Sequence, residues 1–341
     1  MLYNQALWRE WSNILRVLDT GLVRGISWAW RRCIRFGKKP YEPDLVAGIV
    51  LCGVPFILRE LRSVLSNEPV LITGASVYCH SSPLVNYNPR EKNCELGDIL
   101  FVFRYRGLNS LSLQNALLCQ VKLSDTWEYK VPNKERHQLK LFTEWPDFNY
   151  VSPRISGGKK ISVNPKCLHA GAQYLLLDNS NPQTRNSFFF GVPLMPAGLF
   201  CMPDLILRGH SSFAYGIFSS FIFLGGRPFD NKQDAFGKKD WSEMVWDLLE
   251  FGLKKAFNRK RSGIRTQPRF KGDVAAFDGM SIFYNKPHFG VSIAEEILGK
   301  YRIKTLVGKA EIPPGSISDF GDPDNYDSGV SVVIIEAVML E

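Results

Sequence analysis

Two apolar runs with a short loop between them limit what this chain can become. Residues 99–103 are uninterrupted hydrophobic residues, and residues 116–119 repeat the pattern before polarity returns at Gln120 and Lys122. Residues 107–112 between them are rich in Gly, Asn and Ser. Apolar runs of this length, bounded by turn formers, read as strands, here predicted over 94–105 and 115–123. Side chains two apart on a strand share a face, so Gln120 and Lys122 point one way and Val121 points into the opposite layer. Asp98 begins the first strand, and a hairpin sets it beside Gln120 and Lys122.

The flanking segments supply the rest of a layered α/β pattern. Leu7, Trp11, Ile14, Leu15 and Leu18 recur at helical spacing in a segment that also carries Arg9, Arg16, Arg24, Arg31, Arg32 and Arg35. This reads as a docked helical arm with a solvated basic face, ending at the Pro40 to Pro43 punctuation. A second helical region is expected over 44–65, kinked or restarted at Pro55. Strands are expected at 70–77, with the sheet continuing towards 87, and at 174–177. A helix is expected over 133–145, stopped by Pro146. Further on, 241–257 has the apolar stripe of an amphipathic helix, formed by Trp241, Val245, Leu248, Leu249 and Leu253. Residues 332–340 read as a terminal strand. The organisation expected is a basic Trp- and Arg-rich arm at 1–43, an α/β core at 44–180, and a mixed α+β region at 181–341 with no assigned role.

Asp98, Gln120, Val121 and Lys122 form a chemically coherent set. Mg2+ prefers oxygen ligands and keeps several waters. Asp98 offers a carboxylate, Gln120 an amide oxygen and Val121 a backbone carbonyl. Lys122 is placed to orient or deprotonate an attacking water and to offset charge on a phosphate.

This layout resembles the PD-(D/E)XK, or restriction-endonuclease-like, nucleases. Their core runs αβββαβ, with an Asp on the second strand and an acidic residue or Gln two positions before a Lys on the third. The residues Gln138-Leu139-Lys140-Leu141-Phe142 are similar to the Gln-x-x-x-Tyr element of the RecB-like branch, with Phe142 where the branch has Tyr. The resemblance covers about residues 44–178 of the chain. It implies Mg2+, or Mn2+, held by Asp98, Gln120, the Val121 carbonyl and a Glu from the first helix, for which Glu60 is the candidate and Glu68 the next choice. It implies catalytic roles for Asp98, Gln120, Lys122, Glu60 and Gln138. Glu95 lies at an odd offset from Asp98 and is expected on the other face unless Gly97 forms a bulge. By analogy the resemblance implies DNA rather than RNA as substrate, and a prokaryotic antiviral or genome-defence role.

Charge agrees with a polyanionic partner. The chain of 341 residues has 42 Lys and Arg against 33 Asp and Glu, a formal net charge of +9. Residues 254–271 contain no acid before Asp273, and Arg259, Lys260, Arg261, Arg265 and Arg269 are the expected phosphate contacts. His80 and His137 are read as ordinary strand-end and helix histidines. The 7 cysteines form no CxxC pair, which points to reduced thiols and a cytoplasmic protein. The longest apolar run, 45–58, is too short for an ordinary membrane span, so a membrane partner is not expected. There is no GxSxG, Walker A loop or zinc spacing. The leading expectation is a metal-dependent nuclease with nucleic acid as partner and protein partners or a homo-oligomer as further associations. The alternatives are a non-catalytic nucleic-acid-binding or scaffold subunit and, third, a membrane-surface effector using the Trp/Arg-rich arm.

Overall fold

Ile99, Phe101, Phe103 and Tyr105 are buried on one side of their strand, while Leu100 and Val102 are buried on the other. Leu117, Cys119 and Val121 alternate in the same way with Ala116 and Leu118. A strand that is apolar on both faces needs cover on both, and this requirement produces a sheet between two outer layers.

The computed structural model describes residues 2–79, 83–90, 92–107, 112–151, 155, 158–166, 171–180, 188–189, 192–193, 196–262, 281–284, 293–298 and 330–340. The helices are α1 (Leu2–Arg9), α2 (Trp11–Ile34), α3 (Glu42–Gly48), α4 (Val54–Val64), α5 (Arg136–Glu144), α6 (Phe213–Phe221), α7 (Lys232–Ala235), α8 (Trp241–Ser262) and α9 (Ile293–Leu298). The strands are β1 (Val70–Val77), β2 (Leu84–Asn86), β3 (Cys94–Glu95), β4 (Ile99–Arg106), β5 (Ser112–Ser124), β6 (Glu128–Lys130), β7 (Phe148–Tyr150) and β8 (Lys160–Ile161). They continue with β9 (Ala172–Asp178), β10 (Phe188–Phe189), β11 (Val192–Pro193), β12 (Gly198–Cys201), β13 (Ile206–Ser212), β14 (Arg227–Pro228), β15 (Ser281–Tyr284) and β16 (Ser331–Met339).

The main sheet runs β15-β1-β16-β4-β5-β9-β12-β13-β6, with β14 against β5. It is mixed: β4 and β5 are antiparallel, whereas β5 and β9 are parallel, as are β16 and β4. One face carries α1 to α4 and α6, through Leu7, Leu22, Leu45, Ile57 and Phe218. The other carries α5, α8, α9 and a small sheet of order β3-β2-β7-β8, through Val85, Phe142, Phe148, Leu249 and Ile293. The protein is therefore α/β, with a mixed multi-stranded sheet between helical layers.

With the short strands β2, β3, β6, β7 and β8 set aside, the elements α4, β1, β4, β5, α5 and β9 run in the order helix, three strands, helix and strand. One neighbour relation differs from that order. The C-terminal β16 lies between β1 and β4, antiparallel to the first (Val77↔Val332) and parallel to the second (Ile99↔Ser331). All nine residues of β16 are buried, so the strand has no solvent face and belongs in the sheet interior. The main sheet thus draws strands from both sides of residue 180, and α2 buries Ile14, Leu18, Leu22 and Ile26 in the same core.

Two expected elements are divided. The strand expected over 94–105 splits into β3, which pairs with β2 in the small sheet, and β4 in the main sheet. The helix expected over 133–145 begins as a 3₁₀ turn at Asn133–Glu135 and ends at Glu144, because Trp145 takes a left-handed conformation, φ 45° and ψ 56°. The apolar run 45–58 is a buried helix as expected, but a π-helical turn, Ile49–Gly53, separates α3 from α4. That break sits where α2 crosses. A Cβ on Gly25 would lie 2.8 Å from the Gly48 carbonyl oxygen, and one on Gly48 would overlap the Gly25 carbonyl. Among the described residues no helix is long and apolar enough to cross a membrane, and no disulfide joins the six described cysteines.

Candidate functional site

The site forms because β5 outruns β4. Their last paired residues are Ile99 and Cys119, and the Asp98 N–H donates to the Cys119 carbonyl at 2.8 Å. One step beyond, the Val121 N–H points past the end of β4 and donates to Asp98 Oδ2 at 2.7 Å. In a ladder the N–H and C=O of one residue point to the same edge, so the Val121 carbonyl shares the edge that β4 has left. The Val121 side chain is buried against the N-terminal helices, and Gln120 and Lys122 project to the opposite face. The hairpin therefore brings Asp98 to Gln120 and Lys122, as the strand reading expects.

Gln138, on α5, completes the polar core. Its side-chain amide donates to Gln120 Oε1 at 2.5 Å and to the Glu95 carbonyl at 3.1 Å. Gln120 and Gln138 are both buried. Lys122 Nζ lies 3.1 Å from Glu135 Oε2 and 3.6 Å from Glu42 Oε2, with the Tyr129 ring centroid at 5.9 Å. The Tyr129 hydroxyl donates to Glu135 at 3.1 Å. On the neighbouring strand Tyr174 is in register with Gln120, and its buried hydroxyl has no hydrogen-bond partner among the described residues.

Four carboxylates, those of Glu42, Glu95, Asp98 and Glu135, thus share a neighbourhood with one ammonium. Desolvation, reinforced by Glu95 and Glu42, pushes the Asp98 pKa well up against the pull of the Val121 N–H and Lys122. Glu42 and Glu95 are raised too, by desolvation first, with Glu135 adding repulsion and Lys122 opposing. For Lys122, burial acts to lower the pKa, but Glu42, Glu135 and Asp98 outweigh it and the net shift is upward. Desolvation raises the Tyr129 phenol to about 12.

An excess of negative charge next to the backbone edge that β4 has left suits an oxygen-loving divalent cation. Asp98, the Gln120 amide oxygen and the Val121 carbonyl are of the right donor type. Among the described residues no group of three or more His, Cys, Asp or Glu is placed to hold a metal ion. Mg2+ needs no such group, since it is held by one or two carboxylates and retains waters.

Other expected residues are placed differently. Glu60 lies on α4 and pairs with Arg59 at 2.7 Å, with no contact to Asp98, Gln120 or Lys122. The helix-borne acid that reaches Lys122 is Glu42, the first residue of α3. Glu68 pairs with Arg9. Glu95 does neighbour Asp98, because the chain changes sheets between them and strand alternation does not carry across the change. Arg259, Lys260 and Arg261 fall in the last turns of α8, while Arg265, Arg269, His80 and Cys167 lie outside the described residues.

Glu42, Tyr129, Glu135 and Tyr174 are the members that sequence reasoning missed. Glu135 carried a signal, since it lies three residues before Gln138 and so near the same helix face. Glu42 and Tyr174 carried none, because their proximity depends on how the layers close over the strand ends. Comparison with protein-family models, curated proteins and solved structures finds no match to this chain.

Proposed function

We propose that the protein is a metal-dependent nuclease that hydrolyses phosphodiester bonds, with DNA favoured over RNA. The observation that carries this reading is the meeting of Asp98, Gln120 and Lys122 at the end of β5, with Gln138 behind Gln120. The helix and strand order from α4 to β9 supports a restriction-endonuclease-like core, into which β16 is inserted. Phe142, where the RecB-like branch has Tyr, is fully buried between Trp145 and Tyr174 and serves packing.

In this reading Asp98, Gln120 and the Val121 carbonyl would hold Mg2+ or Mn2+, and the ion would supply positive charge to a phosphoryl oxygen and acidify water. Lys122 is kept protonated by its acidic neighbours, so it acts as a cation: it donates to a phosphate oxygen or to the attacking water. The proton released by that water passes to a carboxylate, and Glu42 and Glu95 have pKa values raised in the direction a base requires. Gln138 donates to the Gln120 amide oxygen and so fixes the orientation of that amide, leaving the oxygen's second lone pair for the metal.

The test is to incubate the full chain with DNA and with RNA in Mg2+ and in Mn2+, beside Lys122→Ala and Asp98→Asn. Metal-dependent cleavage by the wild type should fall by about 10²–10⁴-fold in either variant. No cleavage in any metal, or equal cleavage by Lys122→Ala, overturns the proposal. A non-catalytic nucleic-acid-binding subunit is the second reading. It is favoured by the mutual satisfaction of Lys122, Glu135, Gln120 and Gln138, and it predicts binding without turnover.

A further inference from the structure

The segment 133–138 has two sides. Glu135 and Gln138 turn inward to Lys122 and Gln120. Lys134, Arg136 and His137 turn to a cavity of about 440 Å³ at the first turn of α5, completed by Lys140, Lys92 and Tyr87. Among the described residues around it, four are fixed cations and none is an acid. Lys92, Lys134 and Arg136 have no ion-pair partner among the described residues. Other lysines are neutralised: Lys159 by Glu243 and Asp247, Lys232 and Lys254 by Glu250, Lys238 by Asp230.

Four cations around one cavity, three of them without an ion-pair partner among the described residues, repel one another and are stabilised by an anion of more than one charge. A phosphomonoester carries close to two charges at neutral pH, with three acceptor oxygens. A phosphodiester carries one. The space exceeds what a bare phosphate fills. Its wall includes the Tyr87 ring, held by a hydrogen bond from the Tyr87 hydroxyl to the His137 carbonyl at 3.1 Å, with Lys140 Nζ 5.9 Å from the ring centroid. A fixed aromatic face beside a phosphate site suits a base.

We infer that this cavity binds the terminal phosphate of a nucleic-acid strand, with the end nucleotide against Tyr87. The cavity backs directly onto the Asp98, Gln120 and Lys122 cluster through residues 133–138, so the protein recognises a phosphorylated end beside its reactive centre. The choice of a strand as the carrier rests on the nuclease reading; the phosphate itself rests on the cations alone.

The test measures binding of the full chain in EDTA, where no cleavage occurs, by fluorescence anisotropy. The probes are one single-stranded oligonucleotide with a 5′-phosphate, with a 3′-phosphate, or with hydroxyl ends, and inorganic phosphate as competitor. One phosphorylated form should bind at least about tenfold tighter than the hydroxyl form. The double variant Lys134→Ala, Arg136→Ala should lose that difference, and Lys160→Ala, a surface lysine that does not line the cavity, should keep it. Both altered side chains are exposed, and an unchanged melting curve confirms the fold of the double variant. Equal binding of all three oligonucleotides, or a preference that survives the double substitution, overturns the inference. Inorganic phosphate that binds as tightly as the phosphorylated strand overturns the strand-end assignment. Metal-dependent cleavage with no end preference sinks this inference and leaves the nuclease reading standing. End-selective binding with no cleavage in any metal does the reverse.

Discussion

Asp98 shows how one side chain ties the local fold to chemistry. Its carboxylate replaces the backbone acceptor that β4 no longer offers to Val121, and it does so among other carboxylates. A carboxyl whose folded pKa is raised binds more protons when folded than when unfolded, so its contribution to stability is lost as pH rises from the ordinary carboxylate range. Asp98→Asn keeps an acceptor for the Val121 N–H and removes the charge. The variant should be more stable than the wild type at pH 8, and the difference should shrink towards pH 4; urea denaturation at both values checks it. If the proposed site takes a divalent cation, Mg2+ should raise the melting temperature of the wild type more at pH 8 than at pH 5, and should not do so in Asp98→Asn. Tyr174 gives a second test. A buried hydroxyl without a partner costs about 1 kcal/mol, so Tyr174→Phe should raise stability by about that amount in urea denaturation. Unchanged stability would mean that the hydroxyl is hydrated.

Between elements, close approach and caps fix geometry that propensity leaves open. The crossing of α2 over α3 depends on Gly25 and Gly48, whose backbones meet where any side chain would intrude. Gly48→Ala should cost about 2 kcal/mol by overpacking, read as a lower denaturation midpoint with an unchanged slope. The crossing also sets where α3 begins, and so the approach of Glu42 to Lys122. Asp19 links α2 to α6 through the Ala214 backbone, and burial raises its pKa to about 6. The wild type should therefore lose stability relative to Asp19→Asn as pH rises from about 4 to 6, reaching about 2 kcal/mol at pH 8. A difference independent of pH would exclude this titration.

On the scale of the whole molecule, the last strand carries the greatest consequence. β16 pairs along its full length with β1 and with β4, and it contributes Val333, Ile335 and Ala337 to one core and Val332 and Ile334 to the other. Removal of residues 330–341 separates β1 from the strands that bear the site. The truncated chain should show no cooperative unfolding transition and should be digested rapidly in limited proteolysis. A core cut at residue 180 should fail for the same reason, although the nuclease resemblance ends near there.

By itself the sequence determined the local units. The strand characters of 99–103 and 116–119, the shared face of Gln120 and Lys122, the opposite turn of Val121 and the apolar stripe of α8 follow from periods of two and 3.6 residues, which act within one segment. The expectation that Gln138 faces the site came from the resemblance of residues 138–142 to the Gln-x-x-x-Tyr element, not from periodicity. Tertiary structure alone decided that β16 enters the sheet between β1 and β4, that Glu42 rather than Glu60 meets Lys122, that Glu95 joins Asp98 across a change of sheets, and that four cations surround one cavity. These depend on the pairing of segments far apart in the chain, as in the hydrogen bonds between Cys79 and Ser331, which are 252 residues apart. No periodicity within a segment encodes such a pairing, because it is chosen by burial of the two faces across the whole chain.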